Sequence, residues 1–98
     1  MRLVHILLRS DDRGRTLPAD TEALLAASAV DADGFELAVV HLRERAHPVV
    51  GMYMRTASLE AAEERAAAIW RSAAAAHPQL RPWTLARAEV PLLPFDLD

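Results

Sequence analysis

The chain has no cysteine and no lysine. Without cysteine there are no disulfides, no thiolate metal ligands and no cysteine nucleophile, and the redox compartment stays open, because disulfide-free proteins occur everywhere. Cytoplasm is the default expectation. All 11 basic residues are arginines, scattered from Arg2 to Arg87 rather than gathered into a stripe, and the formal charge is −3. That balance excludes general nucleic-acid binding, which needs a basic footprint. Arginine without lysine, together with abundant alanine, is the compositional mark of a GC-rich coding background and carries no functional meaning. Long apolar runs are also missing: LVHILL at 3–8 is six residues long and contains His5, far short of the ~20 needed to span a bilayer. The opening MRLVHILLRSDDRGR has no small-residue cleavage site, so no signal peptide is read there. DDRGR at 11–15 has neither GxGxxG nor GxxxxGK[ST] and reads as a solvated turn rather than a phosphate loop. Ser10, Ser28, Ser58 and Ser72 have no acid-base partner at a recognisable spacing, so no serine nucleophile is expected.

What remains is a chain of 98 residues, 52% hydrophobic, with much of that share supplied by alanine. This length suits one domain, placed at 1–90, and the limited side-chain volume must be used economically. LVHILL reads as a first strand from its length and its polar flanks. Pro18 or Asp20 opens a short helix through LPADTEALLAASAV, which Asp31–Gly34 stops. FELAVVHL (35–42) and VVGMYMR (49–55) form a hairpin across RERAHP, with Gly51 marking a bulge or a close approach. The strongest helix runs between Thr56 and His77, capped by Ser58 and ended by His77-Pro78, with Leu59, Ala62, Ala66, Ile69 and Ala73 as its buried stripe and Trp70 at the border. WTLARAEV (83–90) alternates large and small residues and reads as a fourth strand. The order is βαββαβ, so the expected class is α+β: a ferredoxin-like, four-stranded antiparallel sheet with two helices on one face.

Two helices cover one face of such a sheet, so a self-sufficient monomer should show apolar-in, polar-out alternation. Three strands do not. Val4, Ile6 and Leu8 oppose Leu3, His5 and Leu7. Phe35, Leu37, Val39 and His41 oppose Glu36, Ala38, Val40 and Leu42, and alternation alone does not say which set faces inward. Val50, Met52 and Met54 oppose Val49, Gly51, Tyr53 and Arg55. A second apolar face of this kind exceeds what monomers usually expose. The expectation is a homodimer packed sheet to sheet, with the apolar tail PLLPFDLD (91–98) as an arm lying on its own sheet or reaching over the partner.

Element order plus a half-apolar open face resembles the dimeric α/β-barrel group, over Leu3 to Val90, on architecture and without a motif to carry over. The resemblance implies ferredoxin-like subunits paired through their sheets. It also implies a range of activities, from cofactor-independent oxygenases and isomerases through haem-handling proteins to subunits without known catalysis.

His5, His41, Tyr53, Arg55 and Arg87 are the polar residues inside strands and the ligand-binding candidates. If their faces coincide, an imidazole, a phenol and a guanidinium stand among aliphatic walls, an arrangement that suits a small aromatic or carboxylate ligand, with His as proton carrier and Arg as anion clamp. The plainer alternative is that each histidine hydrogen-bonds within an interface and Arg55 pairs with an acid such as Glu89. His41 and His47, even with Glu44 between them, are two loose histidines without a third ligand at recognisable spacing, so no metal and no cofactor is expected. The two Trp residues, Trp70 and Trp83, read as packing anchors. The preferred reading is a small homodimeric binding or accessory protein without catalysis, taking a protein partner or a small apolar ligand. The alternative is a cofactor-independent enzyme of the dimeric α/β-barrel type, an oxygenase or isomerase.

Overall fold

A computed structural model describes residues 1–11, 15–30, 34–42 and 47–91. Strand β1 (Arg2–Arg9) is followed by helix α1 (Thr21–Ser28), strands β2 (Phe35–Leu42) and β3 (Val49–Met54), helix α2 (Leu59–Ala76), a short 3₁₀ turn (Pro78–Leu80) and strand β4 (Thr84–Glu89). The strands form one sheet in the order β2-β3-β1-β4, and every neighbouring pair is antiparallel. This is an α+β arrangement compatible with a ferredoxin-like fold. No helix among the described residues is long and apolar enough to cross a membrane. The tail beyond Pro91, the centre of DDRGR and residues 43–46 of the hairpin connection lie outside the described residues.

Helix α2 forms where the sequence places it. Ser58 is the N-cap, its hydroxyl accepting from the Ala61 N–H at 3.1 Å, and Glu60 sits at the positive end of the helix. At the other end the Arg81 guanidinium donates to the carbonyls of Ala74 and Ala75, at 3.3 and 2.9 Å. It thereby satisfies oxygens that the last turn leaves without partners. The buried stripe is Ala62, Ala66, Ala67, Ile69, Trp70 and Ala73. Leu59, expected in that stripe, is 45% exposed, because it is the first helical residue and Trp70 supplies the bulk nearer the middle. The alanines let the helix sit close to the sheet, where Val4, Ile6, Leu8, Val50, Met52 and Met54 are all buried.

Bulges set the faces of the two edge strands. On β2 the register slips between Phe35 and Leu37 and again between Val40 and Leu42. Phe35, Ala38 and Val40 therefore pack on the core, whereas Leu37 and Val39 stand opposite Tyr53 and Gly51. Simple alternation, which groups Phe35 with Leu37, fails because each bulge inserts one residue and inverts the facing of the residues beyond it. The same happens on β4: the slip opposite Leu7/Leu8 lets both Leu85 and Ala88 reach the core.

A carboxylate from each helix reaches a backbone amide near an edge strand. Glu22 of α1 accepts from the Val40 N–H at 2.8 Å, and Glu63 of α2 from the Val90 N–H at 3.0 Å. Charge-assisted bonds of this kind are among the stronger ones and help close an edge against stray pairing.

The turn into β2 depends on Gly34. Its φ is +71°, a Cβ there would be driven into the Arg55 carbonyl, and its own carbonyl accepts from the Arg55 N–H at 2.7 Å. An L residue pays about 1–2 kcal/mol for the left-handed backbone alone. Gly34→Ala is therefore expected to destabilise the protein by about 2–4 kcal/mol, read as a lower urea midpoint with unchanged slope. A loss below about 0.5 kcal/mol would contradict the assigned turn.

Candidate functional site

The sheet face opposite the helices carries a short grid of side chains. One row runs Leu37, Tyr53, Leu3 across β2, β3 and β1. The next runs Val39, Gly51, His5, Glu89 across all four strands. The third contains Val49, Leu7 and Arg87. Leu37 is 53% exposed, and Leu3, Leu7, Val39, Val49 and Tyr53 are half-buried. Both helices pack on the other side of the sheet, so this face has none of their cover.

Gly51 organises the centre of the grid. It stands beside His5 on one side and Val39 on the other, and a Cβ built on it would collide with the His41 ring. The missing side chain is the space the His41 imidazole occupies. From there it meets the His5 imidazole edge to face, with ring centroids 5.3 Å apart and planes at 64°. Of the two readings the sequence left for Gly51, a bulge or a close approach, the structure shows a close approach, and the group that approaches is a side chain from the neighbouring strand.

Four of the five candidates, His5, His41, Tyr53 and Arg87, therefore belong to this face. Arg87 is engaged along its own strand by Glu89, at 2.6 Å. The fifth, Arg55, lies just beyond the end of β3, 74% exposed in its side chain, and pairs with Glu36 at 2.5 Å. The expected Arg55–Glu89 pair does not form: β1 separates β3 from β4, so Glu89 is two strands away, whereas Glu36 is on the adjacent strand. Glu89, read only as a partner for Arg55, is the acid that stands directly opposite His5. The β1–β4 adjacency could have found it, since His5 and Glu89 meet once β4 is laid antiparallel beside β1. His47 is exposed, and Glu44 lies outside the described residues. Among the described residues no group of three or more His, Cys, Asp or Glu could hold a metal.

No family model matches the chain, and no curated protein or solved structure is similar enough to count as a match. The chemistry of the face therefore rests on its geometry.

Burial holds the His5 imidazole below its ordinary value of 6.5, a charge on His41 pushes it the same way, and the Glu89 carboxylate opposes both. At neutral pH, His5 is thus an uncharged imidazole, able to donate from one nitrogen and accept at the other. Because the folded protein binds this proton less tightly than the unfolded chain, the stabilisation associated with His5 is complete above pH 6.5 and is lost as pH falls through the lowered folded value. His41→Ala removes one depressing charge and opens His5 to water. Its ring-proton NMR titration is expected to move up toward 6.5, and an unchanged midpoint would show that the ring contact is electrostatically silent.

Proposed function

We propose that the protein is a small non-catalytic binding or accessory module that works as a homodimer, two ferredoxin-like subunits pairing through their open sheet faces. The observation that carries this reading is the apolar character of the face away from the helices: Leu3, Leu7, Leu37, Val39, Val49 and Tyr53 share it. The strand order β2-β3-β1-β4 supports the ferredoxin-like part of the reading, being the order a split βαβ pair produces. A second copy suits the surface better than an unlike partner, because its charges come as opposite-sign pairs: Arg87 with Glu89 on β4, and Arg55 with Glu36 at the end of β2 and β3. A face bordered by both signs is self-complementary under a two-fold axis, which sets each patch against its own copy.

Area sets a further condition. Four strands of about six residues present a projected face of about 400 Å², while a stable interface typically takes about 800 Å² from each partner. The sheet alone falls short, and the apolar segment 91–98 is the candidate for the remainder, as an arm across the partner. Sedimentation velocity at micromolar concentration is expected to show a dimer, and Leu37→Glu to weaken it about tenfold or more without changing the far-UV circular dichroism. A clean monomer for the natural chain would overturn the proposal. Leu37 is a sound choice because it is half-exposed in the single chain and contributes little to its folding.

One observation favours a second reading, a cofactor-independent enzyme of the dimeric α/β-barrel type acting on a small aromatic or carboxylate ligand. The neutral His5 imidazole shares its face with Tyr53 and Arg87, which supplies a proton acceptor, a phenol and an anion partner without a metal. Benzoate is then expected to shift the His5 and His41 ring resonances in a saturable way at millimolar concentration. No shift would remove this reading and leave the dimer untouched.

A further inference from the structure

We infer that the edge-to-face pair of His5 and His41 makes sheet-to-sheet association sensitive to acid, so that the dimer formed at neutral pH separates when both imidazoles are protonated. This rests on the homodimer proposed above and concerns its regulation. Neutral rings pack against each other and against an apolar neighbour without penalty, whereas two imidazolium ions with centroids 5.3 Å apart repel. Strand pairing places Leu3 and Leu7 on either side of His5 on the same face of β1, with Val39 across Gly51. An interface over this face buries the rings among those residues and raises the cost of charging them. A two-fold axis doubles the effect by bringing two such pairs into one interface.

The charged groups around the pair do not cancel this. On β4, Glu89 faces His5 but is held by Arg87, so the carboxylate is shared with a permanent cation. On β1, Arg9 ends the strand in the same alternation as His5 and adds positive charge. On β3 the neighbouring titratable group is Tyr53, and Gly51 contributes no side chain. On β2, Glu36 stands at the far end and is engaged by Arg55. Both helices pack on the opposite side of the sheet. The same balance is visible in the single chain, where burial and His41 together outweigh Glu89 in setting the His5 proton affinity.

The test is sedimentation velocity of the full chain at pH 7.5 and pH 5.5, with far-UV circular dichroism at both, for the natural sequence, His41→Gln and His5→Gln. Carboxylates as a class titrate mainly below this window, so imidazoles dominate the change. The dimer dissociation constant is expected to rise about tenfold or more on acidification with the spectrum unchanged. In either variant the repulsion between two charged rings is gone and only the burial cost of the remaining imidazole is left, so the rise should be several-fold smaller than in the natural chain. Comparison with the variants also separates the exposed His47 and the half-buried His77, which remain in all three proteins. A dimer of equal strength at both pH values would overturn the acid sensitivity and leave the pairing standing. A monomer at both would overturn the pairing itself, and the inference with it. Equal weakening in the natural chain and both variants, or loss of the folded spectrum at pH 5.5, would assign the acid response elsewhere and overturn the inference.

Discussion

Two helices cannot cover both faces of a four-stranded sheet, and in this chain three of the strands are apolar on both. The constraint is geometric: α1 and α2 pack on one side, where Val4, Ile6, Val50, Met52 and Met54 are fully buried. The alternate positions of the same strands, Leu3, Leu7, Val49 and Tyr53, are left on the other side. Burial of each large aliphatic side chain is worth roughly 1.5–3 kcal/mol relative to leaving it in water. Residues that could have been serine or threonine without harming the core are instead ones that gain from being covered. That unmet gain underlies both the proposed pairing and the acid response of its histidines.

Several of the polar groups on and beside the open face come in engaged sets. Arg87 is matched by Glu89 and Arg55 by Glu36, and the two imidazoles are matched to each other over a residue with no side chain. Exposed ion pairs contribute little to stability, of order 0–1 kcal/mol. An imidazole pair differs in kind from these ion pairs. Its two rings meet edge to face with no opposite charge between them.

Much of the architecture was legible in the sequence, because the signals for it are local. The Ser58 cap, the alanine interior of α2 and the stop at His77-Pro78 act within a few residues, and the helix spans Leu59–Ala76 as those signals imply. The hydrophobic runs of β1 and β3 are equally clear, and for both strands alternation separates the buried set from the open one. Legibility ended at the edge strands. Period-two reasoning presumes an uninterrupted pleat, and β2 and β4 are bulged, so the inward set on β2 and the second inward residue on β4 emerge only from register. A bulge depends on what the neighbouring strand offers, and FELAVVHL contains no glycine or proline to announce one.

The candidate site divides along the same line. His5 and Tyr53 are placed by alternation on straight strands. Alternation also groups His41 with Leu37 and Val39, the set that lies on this face, but it does not say where the ring goes: the vacancy it fills belongs to Gly51 on a different strand. Arg55 and Glu89 are two strands apart, a fact of topology that no spacing within the chain encodes. The contact that matters most for chemistry, imidazole against imidazole, thus arises from one missing Cβ and one irregular register acting together. Either feature alone would read as a local weakness of the strand: glycine loosens a pleat, and a bulge interrupts its ladder. Together they leave a position over Gly51 that a polar ring occupies, edge to face with His5.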